Sequence, residues 1–158
     1  DAAIFHHQLP ELASLADEYP DTPIVLNHMG MALTLPDDDQ TAVFHDWQQG
    51  MRDLAQRPNV CCKIGGLSSA YWGFGFHLGD RVVASAEMAM AWRPYIETAI
   101  DAFGPDRCML ESNYPPDGRS CGYVPIWNAF KLCLADLSPD QKAAVAHGTA
   151  ERFYQIKL

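Results

Sequence analysis

The sequence predicts an α/β protein assembled from parallel βα units, and three observations carry that expectation. Short apolar runs alternate with helical patterns, the joints between them are brief, and each run finishes on polar groups. Strand and helix repeating at intervals of about 25–45 residues is the rhythm of a parallel sheet with crossover helices.

The runs that read as strands are Ala3–His6, Ile24–His28 ("PIVLNH"), Val60–Ile64 ("VCCKI") and Cys108–Glu111. Between them, "LPELASLADEYP" places Leu9, Leu12 and Leu15 on one helical face, with Pro10 near its start. "TAVFHDWQQGMRDLAQRP" spaces Phe44, Trp47, Met51 and Leu54 by three or four. "RPYIETAIDAFGPDR" puts Pro94 at a helix entrance, has Tyr95, Ile96, Ala99, Ile100 and Phe103 periodic after it, and stops at Gly104–Pro105. "LSPDQKAAVAHG" carries a capping box, with Ser138 as N-cap, Pro139 at the first helical position and Gln141 three residues after the cap. "TAERFYQI" reads as a final short helix. The segment 65–92 breaks the rhythm as a long connection rich in glycine and aromatics, and such loops usually carry function.

Composition narrows the function classes. The 158 residues fit one domain, and 48% of them are apolar or aromatic, enough for a packed core. A net charge of −9, with 20 acidic residues against 11 basic, argues against a surface that tracks nucleic-acid phosphates. No apolar stretch approaches the roughly 20 residues of a membrane span, and no signal-peptide pattern opens the sequence. The cysteines at 61, 62, 108, 121 and 133 are odd in number and form no CxxC pair, so buried thiols in a reducing, cytoplasmic setting are expected. A small-molecule partner is expected, with no nucleic acid and no membrane; a homo-oligomer is left open.

In a parallel βα array all strands end on one face, where ligands bind. The four runs end on His6–His7, Asn27–His28, Lys63–Gly65 and Glu111–Asn113, all rich in groups that coordinate or move protons. Period two then sorts the faces. An inward His28 implies inward Leu26 and Ile24; an inward Asn113 implies inward Glu111 and Met109, leaving Cys108 and Leu110 for the helices. An inward Lys63 is a candidate partner for Glu111, because an isolated buried charge is costly.

"PIVLNHMG", "NVCCKIGGL", "FGPDRCMLESNYP" and "HGTAERFY" resemble the amidohydrolase-related (amidohydrolase 2) family, metal-dependent hydrolases of (β/α)8 TIM-barrel fold. The group of pyrone-dicarboxylate lactonases and fuconolactone hydrolases is nearest, and the resemblance runs in order along nearly the whole chain. It implies that residues 1–158 are the C-terminal part of a single barrel domain, about four βα units, with the family's first-strand His-x-His pair outside this sequence. It implies a hydrolase acting on a lactone, ester or amide bond of a small carboxylated or hydroxylated compound. An aromatic-acid decarboxylase of the same family, or a catalytically silent binding domain, stands as the alternative.

The resemblance also assigns roles. His28 matches the histidine of the family's "DHxG", a metal ligand or a polariser of the substrate carbonyl, and a divalent metal such as zinc is the implied cofactor, left open. Asn113 stands where the family usually has the aspartate of "SDxP", the base that activates water. An amide cannot accept a proton at neutral pH. The base must then be Asp117, Glu111 or a histidine, and a cation has lost one anionic ligand.

The candidate catalytic residues are therefore His28, Asn113, Glu111 and Asp117, and the candidate substrate-binding residues are His6, Lys63, His77 and Arg119. Of His6 and His7 only one can face inward, and His6 is preferred. Arg119 offers a planar fork for a substrate carboxylate. Plainer roles stand beside these: Asp117 as a turn-former after Pro115–Pro116, Glu111 as half of an ion pair, and His45 and His147 as structural helix residues. Trp72, Phe74 and Phe76 line a pocket or cap the barrel mouth. Trp47, Trp92 and Trp127 read as helix-packing groups.

Overall fold

Three of the apolar runs pair as a parallel sheet in a computed structural model that describes residues 1–78 and 81–156. Strands β1 (Ile24–Leu26), β2 (Val60–Ile64) and β3 (Cys108–Leu110) lie in that order, with Ile24 opposite Val60 and Cys62 opposite Cys108. Gly79 and Asp80, within the long 65–92 connection, and the terminal Lys157 and Leu158 lie outside the described residues.

The first run, expected as a strand over Ala3–His6, is a correction. It meets β1 at one bridge, where the Ala2 amide donates to Val25 and the Asn27 amide donates to Ala2. Beyond it the chain leaves the sheet direction. The Phe5 amide donates to the Gln8 side chain, the His6 amide donates to the Met31 carbonyl, and His6–Gln8 closes a tight turn. Local side-chain bonding has outcompeted the ladder.

Helices α1 (Leu9–Glu18) and α2 (Gln40–Leu54) form where the periodicity places them, but in α1 Leu15 is exposed and Ala13 and Ala16 join Leu9 and Leu12 on the buried face. Helix α3 spans Ser85–Phe103, so Pro94 lies inside it and not at its entrance. A helical proline removes the bond to the carbonyl four residues earlier. That carbonyl belongs to Met90, which is exposed, while Met88, Ala89 and Trp92 are buried and hold the first turns in place. Packing outweighs the proline. Helix α4 (Tyr123–Cys133) packs on α3 and was not delimited from the sequence. Helices α5 (Pro139–Ala143) and α6 (Thr149–Tyr154) flank a wide π turn over Ala144–Gly148. The capping box forms as expected, with the Gln141 amide donating to Ser138 Oγ and the Ser138 amide donating to Gln141 Oε1.

The core lies between the sheet's helix-facing side and the helices. Ile24, Leu26, Val60, Cys62, Ile64 and Cys108 contribute from the strands, and Trp47, Met51, Trp92 and Ile96 from α2 and α3. Cys61, Lys63 and Met109 point to the opposite side, as the alternation and register require. All five cysteines are free thiols, four of them buried. With strands that are parallel and helices on one side, the chain forms an arc of an α/β barrel. Among the described residues no helix is long and apolar enough to cross a membrane.

The expected Lys63–Glu111 pair is not formed. Lys63 Nζ lies 2.6 Å from Asp1 Oδ2 and 5.3 Å from the Tyr154 ring centre. In the register Lys63 faces Met109, so Glu111 sits past it, beside Gly65.

Candidate active site

Strand β1 stops at Leu26, and the next residues do not continue its pleat. Ile24 and Leu26 both belong to the helix-side core, so simple alternation would bury His28 there as well. Instead His28 (φ 53, ψ 33) and Met29 (φ 52, ψ 29) take left-handed conformations that re-aim the chain. Each costs about 1–2 kcal/mol for a residue with a Cβ, so other bonds must hold the turn. Met29 is fully buried and its carbonyl accepts from Trp47 Nε1 at 2.7 Å. The His28 amide donates to Glu111 Oε1 at 3.3 Å, and its carbonyl accepts from Met31. Among the described residues the non-glycine left-handed positions are His28, Met29, Asn113 and Gln155, so three of the four cluster here. Strain that persists in this way gathers at functional sites.

Glu111, one residue past β3, reaches across the end of β2 to His28, with Nδ1 and Oε1 2.5 Å apart. The contact does not have hydrogen-bond geometry, so it is a close polar approach and not an aligned hydrogen bond. Gly65 and Gly66 make the room. A Cβ at Gly65 would stand 2.3 Å from the Glu111 backbone oxygen, and one at Gly66 would stand 2.7 Å from His28 Nδ1. Gly66 also has φ 68. Gly66→Ala is expected to destabilise the protein by at least the roughly 1–2 kcal/mol of the left-handed conformation and to displace His28. Thermal denaturation checks this; an unchanged midpoint would contradict it.

His28 opens onto a cavity of about 710 Å3 that Asn113, Asp117, His77, Arg119 and Ser69 also line. Asp117 is 2% exposed. Its Oδ1 accepts from Asn113 Nδ2 at 2.7 Å and its Oδ2 from the Ser68 amide at 3.2 Å. Burial pushes the Asp117 carboxyl above its ordinary range, against the lowering effect of those two hydrogen bonds. The backbone closes the same loop, since the Asp117 amide donates to the Asn113 carbonyl.

Of the eight candidates, His28, Glu111, Asn113, Asp117, His77 and Arg119 come together at this cavity or on a residue that lines it. His6 and Lys63 do not line it. His6 Nδ1 accepts from the Leu33 amide, and the ring lies at a separate cavity with His7, Asp46 and Asp53. Burial pushes its imidazole below the usual range, and His7 adds to that. Trp72 and Phe76 are buried, Phe74 stacks on both, and Tyr95 meets Trp72 and Phe74 edge-on, so this group caps the core and does not line the cavity. Sequence reasoning missed the Ser68 amide and the Trp47–Met29 bond; only the Gly-Gly pair after β2 hinted at crowding there.

Among the described residues no three His, Cys, Asp or Glu side chains converge as a metal site. Position 113 supplies an amide, and Glu111 is engaged by His28. These residues by themselves do not fit a zinc ion.

A family model described as Amidohydrolase matches residues 1–156. The chain belongs to the amidohydrolase family. It is 37% identical over 156 residues to the uncharacterized protein y4mH of Sinorhizobium fredii, covering 99% of this chain and 46% of that protein. It is 31% identical over 159 residues to the L-fucono-1,5-lactonase of Burkholderia multivorans, covering 99% of this chain and 51% of that protein. The crystal structure of an amidohydrolase from Burkholderia multivorans with bound zinc superposes with a TM-score of 0.82 at 27% identity, over 98% of this chain and 52% of that one. The chain spans about half the length of the curated relatives it matches. The family assignment agrees with an arc of an α/β barrel whose strand ends carry the polar groups.

Proposed function

We propose that the chain contributes the active site of a hydrolase that opens a lactone or ester bond in a small hydroxylated or carboxylated compound. The observation that carries this reading is the His28–Glu111 contact at the mouth of the cavity that also holds Asn113 and Asp117. Glu111 occupies Nδ1, which leaves Nε2 to meet the substrate. There the imidazole polarises the carbonyl and steadies the negative charge that develops on its oxygen. Arg119 and His77 stand at the same cavity to hold a carboxylate or hydroxyl of the substrate. The lactonase relative makes L-fucono-1,5-lactone the first compound to try. Residues 1–158 act in this reading as the C-terminal part of one barrel domain. A zinc ion at His28 would need donors from beyond the described residues.

The experiment is proton release by the native protein from L-fucono-1,5-lactone and from a panel of carboxylated lactones and esters. Ring opening of at least one compound is the expected result. No turnover of any, or carbon dioxide release from aromatic acids in its place, would overturn the reading.

A further inference from the structure

We propose that Asp117 is the carboxylate that activates water in this site, with Asn113 as the residue that positions it. The proposal deepens the hydrolase reading and rests on it.

Three facts lead there. Asn113 lines the cavity at a strand end, but its amide has no proton-accepting group of useful basicity. Glu111 is already spoken for, because one of its oxygens meets both the ring and the amide of His28. Among the described residues Asp117 is the remaining carboxylate on the cavity lining. It is buried, and among the described residues no lysine or arginine lies within ion-pair distance of it. A buried carboxylate without a cation is costly. The fold meets part of that cost with two hydrogen bonds from separate segments, Asn113 after β3 and Ser68 after β2. Each oxygen accepts one such bond, and a carboxylate has about four acceptor sites in all, so acceptor capacity is left for water. A carboxylate that only ended a turn would do so more cheaply in solvent.

Asn113 fits the positioning role. Its left-handed backbone (φ 48) folds the segment back so that the Asp117 amide meets its carbonyl, and its Nδ2 then reaches Oδ1. Asparagine is one of the few residues that adopts this conformation at low cost. In the reaction, a water oxygen bonds to the lactone carbonyl carbon while its proton passes to Asp117. The carbonyl π pair moves onto the oxygen that His28 holds. When the C=O reforms, the ring C–O bond breaks and the proton on Asp117 passes to the leaving alkoxide. One water is consumed and one hydroxy acid is formed. The charged groups that act on Asp117 are His28, which favours its ionised form, and Glu111, which opposes it.

The test uses the native protein and whichever lactone of the panel it opens, with Asp117→Asn, Asn113→Asp and the double exchange Asn113→Asp/Asp117→Asn. Asp117→Asn should lower kcat by about 10²–10⁴-fold, with KM little changed and the acid limb of the kcat–pH profile lost. The exchange moves the carboxylate across one hydrogen bond, so it should recover at least tenfold of the loss. Asp117→Asn with kcat within a few-fold of the unsubstituted protein would overturn the assignment while leaving the hydrolase reading intact. Should that variant not fold, a folded double exchange decides: measurable turnover supports the assignment and none overturns it. If the unsubstituted protein opens no lactone, the hydrolase reading fails and this assignment falls with it.

Discussion

His28→Asn is expected to reduce kcat/KM for lactone opening by about 10²–10³-fold, the usual loss when one group that stabilises a developing oxyanion is removed. Asparagine is chosen because it tolerates the left-handed backbone at this position, so the turn into Met29 survives. The melting temperature should therefore move little while catalysis collapses. Glu111→Gln keeps the shape of the partner but not its charge, and it should give a smaller loss that appears in kcat more than in KM. Steady-state kinetics on the two variants checks both. Turnover by His28→Asn near that of the unsubstituted protein would remove His28 from the chemistry.

Trp47→Ala carries the largest expected effect on stability. The side chain is fully buried, its ring packs on Trp72, Tyr95 and Phe44, and its Nε1 donates to the Met29 carbonyl. Truncating such a residue costs about 3–5 kcal/mol, which lowers the melting temperature by on the order of 10 °C in a chain of this size. Trp47→Phe separates packing from the hydrogen bond. It keeps most of the apolar volume and orphans one buried carbonyl, at about 1–3 kcal/mol. Because that carbonyl anchors the left-handed turn next to His28, Trp47→Phe should also depress activity. Trp92→Phe, at a fully buried site whose Nε1 has no partner among the described residues, should lower stability without that catalytic penalty. Equal activity in the two phenylalanine variants would show that the Met29 turn does not depend on the bond.

Much of this was readable in the residues, and the failures have physical causes. The strands over Ile24, Val60 and Cys108 were visible because apolar runs bounded by turn residues have few other uses. The run at Ala3 looked the same but lost its ladder to the nearby Gln8 side chain and to the Met31 carbonyl, a long-range contact that no local pattern announces. The Ser138 capping box was legible because all its parts lie within four residues. Pro94 reads as a helix entrance by propensity alone, and the burial of Trp92 and Met88 overrides that preference. At the site, His28 and Asn113 face the cavity through left-handed turns, and strand alternation alone would have sent His28 toward the helices. Lys63 and Glu111 looked like partners by charge, yet the register separates them and each finds another group. Asp117 was ambiguous in the sequence, since a turn-former and a buried acceptor differ only in long-range contacts such as the Ser68 amide.

The central claim is that His28 and Asp117 act on one substrate in one cavity. A crystal structure of the native protein with the hydroxy acid formed from L-fucono-1,5-lactone, or from the panel lactone it opens best, tests this most directly. The account predicts the new carboxyl group inside the cavity, within about 2.6–3.2 Å of both the His28 ring and the Asp117 carboxyl. A product bound elsewhere, or in the cavity but turned away from both residues, would contradict it.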